Sequence, residues 1–122
     1  MIFSTAIYSQ SQWYALYTKS RHEKFIDQEL SRKRIESFVP LRKIKKRWSD
    51  RTVTLEEPLF KSYVFVKANL EKTSEVLRTK GALHFVRVDG KPVPIGESVI
   101  EFLRHLVTHE IAADPFPYLE SG

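Results

Sequence analysis

Apolar and polar positions change period several times along this chain, and each change predicts an element. Trp13–Thr18 (WYALYT) is short and aromatic and predicts a strand. Ser20-Arg21-His22-Glu23 fits a capping box, with Ser20 as N-cap and Glu23 three residues on. Phe25, Ile26 and Leu30 then form the stripe of a helix running to about Ile35. Ser37–Trp48 (SFVPLRKIKKRW) reads as one extended, edge-like strand, because Pro40 cannot donate to a central ladder. Ser49-Asp50-Arg51 is a turn, and Thr52–Glu56 alternates with Val53 and Leu55 on one face, so the pair predicts a projecting hairpin. Pro58–Lys67 holds the strongest strand, Tyr63–Lys67. Leu70–Lys80 predicts a short helix closed by Gly81 as C′ residue. Leu83–Val88 is a further strand, and Asp89-Gly90 suits a type I′ turn into Lys91–Ile95. Glu97–Val107 carries a second strong helical pattern in Val99, Ile100, Leu103, Leu106 and Val107.

The resulting order, β-α-β-β-β-α-β-β-α, predicts an α+β fold in which split βαβ units build an antiparallel β-sheet flanked by helices. Residues 13–107 form the expected domain, residues 1–12 a flexible leader, and residues 108–122, with Pro115 and Pro117, a linker.

Composition narrows the possibilities. The 122 residues are 42% hydrophobic and 29% charged, as in an ordinary globular domain and unlike a disordered tail. No apolar run approaches the roughly 20 residues needed to span a bilayer, and no secretory signal is visible. The absence of cysteine excludes disulfides, Cys-ligated metals and thiol catalysis. Of the 20 Lys and Arg residues, 13 lie in residues 1–61 against 7 acidic residues, so the net charge of +5 belongs to the first half. A local basic face fits a polyanion or an acidic protein surface.

That charge is densest in Arg42, Lys43, Lys45, Lys46, Arg47 and Arg51, six cations in ten residues with Asp50 the only opposing group. A hairpin tip built this way would hold phosphates, although edge lysines also serve to prevent strand-to-strand aggregation. Trp48 beside the turn can stack on a base or cover the hairpin. A second constellation is aromatic: Tyr14, Tyr17, Phe60, Tyr63, Phe65 and Phe85. Tyr63 and Phe65 share one sheet face, and Val64 and Val66 face the other way. Such a strand is either covered on both sides or presents an aromatic partner surface. Lys61–Ala68 (KSYVFVKA) also matches the RNA-reading strand of RRM domains at Lys61, Tyr63, Phe65 and Val66, but not at Ser62, Val64 and Ala68. An RRM-like module binding single-stranded RNA is the alternative reading. His105 and His109 have a metal-capable i,i+4 spacing, but without an H-E-x-x-H order or a further ligand they read as solvated. No nucleophile, Walker or dinucleotide motif occurs, so no catalytic residue, metal or cofactor is assigned and an enzyme is not expected.

Five pieces in order, WYALYT at 13–18, KSRHEK at 19–24, Pro58-Leu59-Phe60 with Tyr63–Val66, GALHFV at 81–86 and GKPVPI at 90–95, resemble the NusG family of transcription elongation factors. Within it the chain is most similar to the specialised antitermination paralogues, the RfaH and UpxY types. The similarity spans about residues 13–107, the N-terminal (NGN) domain of such factors. It implies an NGN-like sandwich and a binding role in the cytoplasm: a monomer that contacts bacterial RNA polymerase and performs no covalent chemistry. In the family an apolar depression grips the β′ clamp helices, while another edge reaches the β lobe. Bridging the cleft favours the active state over the paused, open one and so suppresses pausing or termination.

Carried over by position, this resemblance implies a clamp-helix site of Tyr17, Phe60, Tyr63, Phe65, Phe85 and Leu103. It implies a β-lobe contact at Lys72, Thr73, Ser74 and Glu75. Contacts to the non-template DNA strand would use Lys19, His22, Arg32, Lys33 and Lys80. The hairpin cations Lys43, Lys45, Lys46 and Arg47 join the nucleic-acid set on their charge alone, since relatives vary there. Lys61 stands where many relatives have Pro, and Glu29 would repel phosphate on the presumed DNA face. Relatives continue into a KOW-type β-barrel, toward which residues 108–122 would lead.

Overall fold

The computed structural model describes residues 10–109, with side chains through Val107. The expected leader up to Ser9 and the linker from Glu110 lie outside the described residues. The elements are β1 (Gln12–Thr18), α1 (Glu23–Arg32), β2 (Glu36–Phe38), β3 (Leu41–Trp48), β4 (Arg51–Pro58), β5 (Tyr63–Ala68), α2 (Thr73–Leu77), β6 (Ala82–Phe85), β7 (Arg87–Val88), β8 (Lys91–Pro92) and α3 (Glu97–His109). An antiparallel four-stranded sheet runs β2-β5-β1-β6, and β3-β4 and β7-β8 form separate ribbons. The expected α+β class and flanked antiparallel sheet are therefore present.

Strand alternation sorts the core into two clusters. On the even-numbered face, Tyr14, Leu16, Val64, Val66 and Ala68 pack with Ile26 and Leu30 of α1 and Val76 of α2. On the odd-numbered face, Trp13 and Phe65 pack with Ile100 and Leu103 of α3. Each fully buried aliphatic or aromatic side chain stabilises the fold by about 1.5–3 kcal/mol, so both layers are substantial.

Several boundaries differ from expectation. Ser20 is not the N-cap: α1 starts at Glu23 with His22 as N-cap and no side-chain cap bond. Arg21 at φ 65° delays the helix. The buried Glu23 carboxylate instead accepts the Ser62 backbone N–H at 2.6 Å, fastening α1 to the loop before β5. The helix ends before Ile35. Arg34 takes φ 62°, and the Arg34 and Ile35 N–H groups bond back to Ser31 and Leu30 at 3.0 and 2.9 Å. This is a Schellman closure, and it delivers Ile35 into the core.

The predicted strand 37–48 breaks at Pro40. Its missing N–H cannot continue the ladder, while its carbonyl accepts Leu59 N–H at 2.7 Å. β2 stays in the sheet and β3 leaves to pair with β4. The predicted helix 70–80 shrinks to five residues, because tight turns at Thr79 and Ala82 take its C-terminal end. Gly81 is accordingly not its C′ residue. At φ 95° it turns the chain into β6, and an added Cβ would lie 2.6 Å from the His22 ring. The predicted strand 83–88 divides into β6 and β7 at Val86, whose N–H turns to Ala15. The expected strand 91–95 is short, with Ile95 bridging to Trp13 instead. Asp89 and Gly90 both have positive φ, as a type I′ turn requires.

Candidate functional site

The odd-numbered sheet face is covered at one end and open at the other. Glu97 accepts Trp13 Nε1–H at 3.1 Å and pairs with Lys67 at 3.7 Å. Arg104 pairs with Glu36 at 3.6 Å, and its guanidinium lies 4.7 Å from the Phe38 ring centre. These contacts hold one flank of α3 over the end of the sheet carrying Trp13, Glu36 and Lys67. Val99 and Phe102 lie on the side of α3 away from these contacts, and both are exposed. Phe102 is 62% exposed.

At that open end the register pairs Tyr17 with Tyr63 on one side and His84 on the other. The tyrosine centroids lie 5.4 Å apart, and Tyr17 lies 5.2 Å from the His84 ring. Phe60, 39% exposed, stands edge-on to Phe65 at 6.0 Å. Phe65 and Leu103 are both buried, so they form the floor and α3-side wall rather than the free surface. The structure thus brings together five of the six expected clamp-site residues.

Phe85 is the exception. A bulge between Tyr17 and Thr18 sets β6 so that Phe85 pairs with Leu16, on the even-numbered face. It is 1% exposed and packs edge-on against Tyr14 at 5.9 Å. Its expected place in the depression is corrected: it supports the sheet from behind. His84 occupies the position that the reading had given to Phe85, and only the strand register reveals this.

The four residues expected at the β lobe enclose the start of α2. Lys72 is its N-cap and pairs with Glu75 at 3.7 Å, while Thr73 Oγ1 donates to Leu70 O at 2.7 Å. Lys72 and Ser74 are exposed. Among the expected DNA contacts, Lys19 and Lys80 are exposed on either side of Gly81. His22 packs on Gly81, stands edge-on to Phe25 at 6.3 Å, and has Nδ1 3.0 Å from Ser20 O. Arg32 pairs with Glu29 at 3.2 Å, which offsets the acidic charge there. Lys33 requires correction. Half-buried, it donates to Glu75 O at 3.3 Å and Thr79 Oγ1 at 3.0 Å, so its ammonium is directed at α2 rather than an open face.

The β3-β4 ribbon carries the hairpin cations away from the sheet. Lys43, Lys45 and Arg47 lie on one face and Lys46 on the other, where it pairs with Glu57 at 3.5 Å. Between the ribbon root and α1 lies a cleft of about 470 Å³, lined by Lys24, Lys46, Lys61, Glu23, Glu56 and Glu57 among others. Among the described residues no three His, Asp or Glu side chains gather to hold a metal, and no helix is long and apolar enough to cross a membrane.

A partly open aromatic end on a helix-flanked antiparallel sheet, with a separate basic ribbon, sets this chain among α+β domains. The model of the NusG family, described as transcription termination factor nusG, matches residues 11–104. The chain therefore belongs to the NusG family of transcription termination and elongation factors. A solved structure of Thermotoga maritima NusG has a similar fold, with a TM-score of 0.61 at 23% identity. The match covers 84% of this chain and 60% of that one, so the chain spans well under two-thirds of that relative.

Proposed function

We propose that this domain binds the β′ clamp helices of bacterial RNA polymerase through the open aromatic end of its sheet. Tyr17, Tyr63 and Phe60 would meet the partner, while Phe65 and Leu103 hold them in place. The observation that carries this reading is the partial reach of α3, which leaves large rings in solvent on an otherwise packed sheet. Contiguous aromatic surface of this kind is where binding energy concentrates. The first turn of α2, Lys72 to Glu75, is the matching contact for the β lobe. Lys19, His22, Arg32 and Lys80 would serve the non-template strand, and Lys43, Lys45 and Arg47 extend the nucleic-acid surface, while Lys46 is paired with Glu57 on the opposite ribbon face. The domain then acts as a cytoplasmic monomer that bridges the cleft and suppresses pausing or termination, in the manner of the RfaH- and UpxY-type antitermination factors.

The test is calorimetry of the chain against a fragment carrying its cognate β′ clamp helices at moderate salt. Saturable one-to-one binding is expected, and Tyr63→Ser should weaken it by about 1–3 kcal/mol while the circular dichroism spectrum stays native. No binding to the cognate fragment would end the clamp-helix reading. The RRM-like alternative loses support from burial: Phe65, at 8% exposure, lies beneath α3 and cannot stack on a base.

A further inference from the structure

Directly paired residues of an antiparallel ribbon share a face. The β3-β4 register pairs Lys43 with Glu56, Lys45 with Thr54 and Arg47 with Thr52. The alternate pairs are Arg42 with Glu57, Ile44 with Leu55, Lys46 with Val53 and Trp48 with Arg51. The two faces therefore differ in chemistry. One carries a row of three cations backed by threonines, with Glu56 at its root. The other is part apolar, with half-buried Ile44, Val53 and Leu55, and ends in Trp48, 52% exposed.

We propose that the Lys43-Lys45-Arg47 face binds the sugar–phosphate backbone of a nucleic-acid duplex. The inference deepens the nucleic-acid contact assigned to the hairpin above and rests on it. Strand residues two apart project the same way about 7 Å from one another. Successive phosphates of one duplex strand rise about 3.4 Å along the axis and also wind around it, which sets them about 7 Å apart, so the row keeps step with neighbouring phosphates. Thr52 and Thr54 are exposed and add hydroxyl donors suited to phosphate oxygens. Binding of a single strand ordinarily adds aromatic rings on which bases stack. This face has none: Trp48 points to the opposite side with Lys46 and Arg51.

The test compares two charge-matched double variants of the chain, Lys45→Thr/Arg47→Thr and Lys46→Thr/Arg51→Thr. Anisotropy titrations against mixed-sequence 25-base-pair DNA and RNA duplexes and a 25-nucleotide single strand are run from 50 to 200 mM salt. Each lost phosphate contact should reduce the slope of log affinity against log salt by about 0.9, so the first pair should flatten it by about 1.8. The second pair should change it by less than half as much. Preference for the DNA or the RNA duplex identifies the source of the backbone, and either is consistent with the proposal. Equal effects of the two pairs would overturn the face assignment. Tighter binding to the single strand, or equal competition by polyglutamate, would overturn the duplex. Clamp-helix binding by the same variants should be unchanged, so failure of the polymerase reading registers separately.

Discussion

The two faces of the four-stranded sheet use the same strands for opposite ends. On the even-numbered face two helices cover everything: Leu16, Val64 and Val66 have no exposed surface. On the odd-numbered face a single helix crosses the strands and stops covering them after Trp13 and Phe65. Tyr17 and Tyr63 continue the same rows only one alternation further along, yet they are only partly buried. Residue type follows coverage. Aliphatic side chains and the Tyr14–Phe85 pair fill the sealed face, while Tyr17 and Tyr63 stand where the cover ends, since tyrosine tolerates one apolar side and one wet side. The proposed docking surface is a core layer left unfinished.

The sharpest way to break this comparison is to truncate each face in turn. Leu16→Ala should destabilise the domain by about 2–5 kcal/mol in urea unfolding, because the sealed layer cannot collapse around the cavity. Gly81→Ala comes next, at about 2 kcal/mol. It forces a side chain to φ 95° and against the His22 ring. Tyr63→Ser should cost about 1 kcal/mol of stability or less, its main effect being on binding. If it unfolds the domain as Leu16→Ala does, the odd-numbered face is core throughout and the contrast fails. Smallest of all, Lys45→Thr/Arg47→Thr should shift stability by under about 0.5 kcal/mol, since both side chains are exposed. A larger loss would mean that the ribbon face is a structural support.

Legibility followed the range of the interaction. β1 and β5 were readable because alternation of aromatic and aliphatic residues is a local signal, and the Asp89-Gly90 turn because glycine is. The basic ribbon was plain from charge alone. What failed depended on distant partners. Ser20-x-x-Glu23 has every local mark of a capping box, but Ser62, 39 residues away, takes the carboxylate. Lys33 looks like a free surface cation until α2 folds back to its ammonium. Phe85 belongs with the other aromatics by type and opposes them by register, through one bulge that no local pattern announces. Family resemblance pointed to a surface for the proposed clamp contact but could not resolve which of two adjacent residues, His84 or Phe85, faces it.

The ribbon is clamped at its root by Leu59 N–H to Pro40 O and by Lys24 Nζ to Glu56 O, at 2.7 Å each. Beyond the Glu56 bond five residue pairs of the two strands reach out for about 16 Å. Charge and aromatic surface are thereby separated in space, and so in time. An exposed cationic arm acts at long range and accelerates encounter, whereas packed rings act only after contact and govern escape. Raising salt should therefore slow arrival at the transcription machinery while leaving the residence time of the docked domain nearly constant.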